Sequence, residues 1–170
     1  CADMGSTTLV MQLVDMESGQ VMAQTDEFNP QIAWGTDILT RIFYAKDYPD
    51  RLHRLQEAVV EGFQKLIRQL EADTGVDISG CAALIVSGNT TMIHFLLGLD
   101  AFGIFMSPFA PVFNRTGLIS ACELGLDFAG LIYCIPSAAN YLGGDIISGV
   151  MASGMTEDAR ISLYIDIGTN

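Results

Sequence analysis

Asp3-Met4-Gly5-Ser6-Thr7-Thr8 and Asp166-Ile167-Gly168-Thr169-Asn170 are two versions of one signature: an aspartate, an apolar residue, a glycine and then polar side chains. Each stands where a strand would turn into a hairpin. The glycine lets the backbone approach an anion closely. Successive backbone N–H groups and the hydroxyls then cradle phosphate oxygens. Asp3 and Asp166, at the strand ends, are placed to hold Mg²⁺ through water. Two such turns facing each other across a cleft make a phosphate clamp. Either aspartate alone is better read as a turn cap bonded to nearby amides; the pair, in a consistent order of elements, argues for the clamp.

Working outward from the first turn, residues 9–15 and 20–25 read as strands joined by the turn Glu17-Ser18-Gly19. With residues 1–3 they form a β-meander. Residues 26–35 read as a loop, and 36–46 as a helix with Thr36 as its N-cap. Residues 50–73 carry Leu52, Leu55, Val59, Phe63, Leu66, Ile67 and Leu70 on one helical face, and Gly75 supplies the stop. Residues 81–87 read as a buried strand running through Gly88-Asn89-Thr90-Thr91 into an apolar helix at 91–98. Residues 101–129, with Gly103, Pro108, Pro111 and Gly117, read as an irregular insertion with short strands or turns. A strand at 131–135, a glycine-punctuated helix at 143–154 and a buried strand at 161–167 complete the order. Strands alternating with helices after a meander imply a mixed sheet with helices on its faces.

The bulk composition narrows the partners. Twenty acidic residues against eight basic ones give a net charge of −12. The basic residues are scattered singly, which argues against a nucleic-acid backbone and against an anionic membrane surface. A phosphate ligand remains compatible, because backbone amides and a metal carry positive potential locally. Half the residues are hydrophobic, enough for a substantial core, yet no apolar run reaches the ~20 residues of a membrane span. Cys1, Cys81, Cys122 and Cys134 form no Cys-x-x-Cys pair, which argues against an iron–sulfur or zinc site in this stretch. Cys81 and Cys134 read as small buried hydrophobes, and reduced thiols with no visible export signal point to the cytoplasm. His94 reads as a satisfied core residue and His53 as solvated, and no spacing suggests a nucleophilic triad. A chain that opens on Cys1 and stops inside the second signature reads as a piece of a longer polypeptide.

These residues resemble the actin-like ATPase superfamily of sugar kinases, heat-shock chaperones and actin, whose two phosphate motifs match the two signatures. Within it, Asn29-Pro30-Gln31, Gly35-Thr36-Asp37-Ile38-Leu39-Thr40-Arg41-Ile42, Ser87-Gly88-Asn89-Thr90-Thr91-Met92, Pro108-Phe109-Ala110-Pro111 and Gly143-Gly144-Asp145-Ile146 look like the ATPase domain of corrinoid activation proteins. These are reductive activators of corrinoid-dependent methyltransferases. The resemblance runs over nearly the whole chain in the family's order. It implies an α/β, actin-like/ribonuclease H-like fold with a mixed five-stranded sheet, residues 1–170 being the first, phosphate-binding lobe. The second lobe, with its adenosine motif, and an iron–sulfur domain would lie elsewhere in the parent protein.

The resemblance also assigns roles. Asp3, Gly5, Ser6, Thr7 and Thr8 would hold nucleotide phosphates from one side, and Asp166, Gly168, Thr169 and Asn170 from the other, with Asp3 and Asp166 positioning Mg²⁺. Asp145 would orient the water that attacks ATP; its plainer reading is a first-turn acid favourable to the helix dipole. Asn89 would face the cleft, since loops at strand C-terminal ends line sites in α/β sheets; its plainer reading is an N-cap. Gly144, Gly149, Ala152 and Gly154 suit a close helix crossing at a hinge. Gln31, Asp37 and Arg41 are open between a solvated helix start and a contact to phosphate or partner, and Phe28 and Trp34 read as packing. The implied activity couples MgATP binding and hydrolysis to reduction of a corrinoid protein from Co(II) to Co(I), and a homodimer is compatible with it. A sugar-type kinase lobe and a non-catalytic, actin-like assembly module are the other readings of the same fold.

Overall fold

The computed structural model describes residues 1–157 and 159–167. β1 (Ala2–Met4), β2 (Thr8–Val14) and β3 (Val21–Phe28) form the expected antiparallel meander. β4 (Ala83–Gly88) runs parallel to β1 on its free side, with Asp3 opposite Ser87. β5 (Ile119–Ser120) lies antiparallel to β6 (Leu131–Cys134), which runs parallel to β4. The sheet order is therefore β3-β2-β1-β4-β6-β5, six strands rather than the five expected. β5 lies in the stretch read as irregular, and 161–167, also read as a strand, is not in the sheet.

Among the described residues, five α-helices complete the fold: α1 (Ile38–Ala45), α2 (Pro49–Thr74), α3 (Thr90–Leu96), α4 (Phe102–Phe105) and α5 (Gly144–Ala152). α2 follows from its sequence. Pro49 opens it, an apolar stripe runs its length, and Gly75 ends it in the left-handed conformation at φ 70°. Its buried face sets Leu55, Val59, Phe63, Leu66, Ile67 and Leu70 in one core with Met4, Leu9, Met11, Leu84, Val86 and Ile132 of the sheet. Gly62 permits this approach, since a Cβ there would stand 2.8 Å from Leu9 Cδ1. Burying each large apolar side chain contributes about 1.5–3 kcal/mol, so this face is a large contributor to the fold's stability.

Strand side chains alternate between faces. While Met4 and Val86 enter the core, Asp3 and Ser87 emerge on the opposite side. There the Ser87 hydroxyl meets that of Ser148 at 2.9 Å and ties α5 across β4. The helices thus cover both faces, as expected. His94 is fully buried on α3 in its neutral form: Nδ1 donates to the Thr90 carbonyl at 2.7 Å and Nε2 accepts from Val112 N–H at 3.1 Å. Its ring stacks on Phe113, which pins the 106–118 stretch to the core. His53 is exposed beside Glu57.

Several expectations are corrected. The strand expected to end at 25 continues to Phe28, and residues 30–34 form a 3-10 turn capped by Asn29 and opened by Pro30, not a loop. α1 is capped by Asp37, whose carboxylate accepts from Thr40 N–H at 2.8 Å, and not by Thr36. Residues 101–129 hold a short strand, β5, and a 3-10 turn at Ala121–Leu124, in line with the short strands or turns expected, but they also hold the short helix α4 and bury Leu126 and Phe128. Phe28 is exposed at 76%, because its side chain sits at the last position of an edge strand, whereas Trp34 packs on the core as expected. Cys134 is buried, its thiol pushed up to about 11 by lost hydration. Cys81 is only half-buried, because it closes a 3-10 turn before the strand begins.

The largest correction concerns residues 161–167, expected as a buried strand. They pair with no strand of the sheet, and Ile161, Leu163, Ile165 and Ile167 are exposed. Their alternation is a demand for a sheet neighbour that these six strands, edged by β3 and β5, do not meet. No helix among the described residues is long and apolar enough to cross a membrane.

Candidate functional site

The ends of β1 and β4 and the start of α5 converge on a cleft of about 650 Å³. Its polar lining includes Asp3, Gly5, Ser6, Asn89, Asp145 and Asp166. Residues from both ends of the sequence thus meet in one place. Thr7 and Thr8 follow on the hairpin without lining the cleft, and Gly168, Thr169 and Asn170 lie outside the described residues.

The hairpin's shape depends on Gly5. Its N–H donates to the Thr8 carbonyl at 3.0 Å, and a Cβ on it would stand 2.7 Å from that same oxygen. Asn89 takes both roles weighed for it: it caps α3 by accepting from Thr91 N–H at 3.0 Å, and it lines the cleft. Gly143 and Gly144 bring α5 close. A Cβ on Gly143 would stand 2.6 Å from the Gly88 carbonyl, and one on Gly144 would stand 2.7 Å from the Ile135 carbonyl. Gly144 thus approaches a strand end closely. Gly149 approaches the Tyr164 ring.

The electrostatics are one-signed. Burial pushes the Asp3 carboxyl up, and the charges of Asp145 and Asp166 add to it. Asp145 is also pushed up, by burial first and then by Asp166, against the bond its carboxylate accepts from Ile146 N–H at 2.9 Å. No lysine or arginine lines the cleft. Crowded carboxylates of this kind suit a divalent cation. No three acids, histidines or cysteines among the described residues lie close enough to hold one directly.

Asp37 lines the cleft, but its carboxylate is committed to the α1 cap, and its pKa is lowered by the bonds from Thr40. Arg41 and Gln31 do not reach the cleft. Gln31 Nε2 donates to the Leu55 carbonyl at 2.7 Å in the interior, and Arg41 is fully buried beside it. Sequence reasoning missed the apolar wall made by Ile38, Leu39, Ile42, Ile104, Phe105 and Tyr141. Its half from α1 sat within a quoted helix; Ile104 and Phe105 lay in a stretch read as irregular, and Tyr141 in a segment given no role.

The RACo middle region family model matches residues 1–158. The chain belongs to the RACo middle region family. Among related proteins, the corrinoid activation enzyme RamQ of Eubacterium limosum is 29% identical over 170 residues. The alignment covers 99% of this chain and 28% of that protein. A solved structure titled reductive activator for corrinoid, iron-sulfur protein superposes with a TM-score of 0.95 at 39% identity, covering 99% of this chain and 27% of that one. This RACo middle region thus spans little more than a quarter of either relative. Its fold is that of the corresponding part of the solved activator.

Proposed function

We propose that this chain is the phosphate-binding lobe of an actin-like ATPase domain, in a protein that uses MgATP to return a corrinoid protein from Co(II) to Co(I). The observation that carries the proposal is the meeting of Asp3, Asp145 and Asp166 beside the Gly5–Ser6 hairpin in one cleft. The family membership and the names of the two relatives support the same reading.

In this reading Gly5 and Ser6 offer backbone and hydroxyl groups to ATP phosphates, with Thr7 and Thr8 completing the turn. Gly168, Thr169 and Asn170 do the same from the other side. Asn89 and Gly144 border the phosphates. Asp3 and Asp166 hold Mg²⁺ through water, which supplies the positive charge that no side chain lining the cleft provides. Asp145, raised in pKa beside them, orients the attacking water. Hydrolysis then changes the relative stability of open and closed lobes, and a partner that binds one form better can be driven by it. The single electron for cobalt comes from a donor outside this lobe, where the iron–sulfur cluster is expected.

A sugar-type kinase would place a substrate hydroxyl near Asp145, among polar groups. The apolar wall of Ile38, Leu39, Ile42, Ile104 and Phe105 disfavours a polyol there. The test is turnover by the full-length natural protein with and without a Co(II) corrinoid protein, following Co(I) by its absorbance. Asp145→Asn is expected to lower ATP turnover by about 10²-fold while MgATP still binds. Unchanged turnover in that variant, or turnover that responds to sugars and not to the corrinoid protein, would contradict the proposal.

A further inference from the structure

Arg41 is an unusual side chain for a core: fully buried, with no carboxylate bonded to its guanidinium. Burial holds its pKa down to about 10. Such a charge is costly to bury without partners, so its partners are informative. Nη2 donates to the Ser6 carbonyl at 2.5 Å, and Nε donates to the Gly35 carbonyl at 2.9 Å. Nη1 reaches Gln31 Oε1 at 3.3 Å and Met92 Sδ at 3.5 Å. Asn29 works on the same hairpin: its Nδ2 donates to the Gly5 carbonyl at 2.8 Å and its backbone N–H to the Thr7 carbonyl at 2.8 Å. Three successive carbonyls, of Gly5, Ser6 and Thr7, are therefore held from behind.

Peptide planarity gives this a consequence. In a trans peptide the C=O of one residue and the N–H of the next point in opposite directions. Holding the Gly5 and Ser6 carbonyls toward Asn29 and Arg41 turns the Ser6 and Thr7 N–H groups the other way. Those two N–H groups donate to no acceptor among the described residues. Two adjacent unpaired amides, one on the cleft-lining Ser6 and one on the residue that follows it, are groups able to bind an anion together.

We infer that Arg41 and Asn29 are positioning residues: they do not touch the ligand but hold the 5–7 hairpin with its amides presented to phosphate. The buried cation behind the peptide units also polarises them, favouring an anion in front. The inference rests on the phosphate-clamp reading of the cleft.

The test compares Arg41→Lys, Asn29→Ser and a core control, Leu70→Ala, in the full-length natural protein. Serine at 29 keeps an acceptor able to cap the 3-10 turn while removing the donor to Gly5. MgADP affinity is measured by calorimetry, melting temperature by circular dichroism, and the Ser6 and Thr7 amide resonances by ¹⁵N NMR. Asn29→Ser and Arg41→Lys are each expected to weaken MgADP binding by roughly tenfold, as loss of an aligned hydrogen bond to a charged or nest-forming group does, and to shift both amide resonances. Leu70→Ala is expected to melt lower yet bind as the wild type does. If the wild type binds MgADP and Asn29→Ser, folded, binds it equally well, the positioning role is wrong and the clamp stands. Equal weakening in Leu70→Ala would reduce the effect to lost stability and also overturn the role. No binding by the wild type overturns the clamp and the inference together.

Discussion

The two Asp-x-Gly segments begin alike in sequence and differ in everything that surrounds them. Asp3 lies in a central strand flanked by β2 and β4, and the hairpin after that strand is held at three carbonyls by Asn29 and Arg41. Asp166 reaches the same cleft from a segment with no strand partner and with its alternate apolar side chains in solvent. A short signature thus specifies chemistry but not its own placement. Placement comes from residues distant in sequence, which one segment has and the other, in this chain, does not.

The contrast can be broken first at the core beneath the hairpin. Phe63 is fully buried between α2 and the sheet, and Phe63→Ala is expected to cost about 3–5 kcal/mol in chemical denaturation. A loss below 1 kcal/mol would mean that the meander does not rest on this helix. A smaller effect concerns pH. Burial holds the His94 pKa below its ordinary 6.5, so the folded chain keeps the ring neutral while the unfolded chain takes up a proton. Stability is full above pH 6.5 and falls as pH drops below it toward the folded value. Melting curves between pH 7 and 5 are expected to fall in the wild type and to flatten in His94→Gln. Equal slopes in the two would place the acid sensitivity elsewhere. The smallest effect lies in the second segment: Leu163→Ser, at a position 83% exposed, is expected to change the stability of this chain by less than about 0.5 kcal/mol. A larger loss would show that 161–167 packs more firmly than its exposure implies.

What the sequence made legible follows the range of the physics involved. The meander, α2 with its glycine stop and the Asn89 cap are set by periodicity and by neighbours a few residues away, and all were readable. The mixed α/β sheet followed from the order of those elements. Asp37 instead of Thr36 as the α1 cap was a choice between adjacent residues that either could fill, settled by the bond to Thr40. The short β5 and the buried Leu126 and Phe128 were hidden because a two-residue strand carries no period. Arg41 was the least readable: nothing local distinguishes a solvated helix arginine from one buried against a hairpin 35 residues away. In the site, Asp3, Gly5, Ser6, Asn89, Asp145 and Asp166 were foreseen and meet in the cleft. The apolar wall across from them was not foreseen, because apolar residues on a helix announce burial before they announce a ligand.

The central claim is that Asp3 and Asp166 belong to one phosphate clamp, although 161–167 has no place in the sheet. The most direct measurement is calorimetric titration of MgADP and MgATP into the full-length natural protein beside its Asp3→Ala, Asp166→Ala double variant. The account predicts micromolar binding that the double variant loses by at least about 100-fold, or roughly 2.7 kcal/mol. Equal binding in the two proteins, or none in a folded wild type, would contradict it and leave both Asp-x-Gly segments as turn caps.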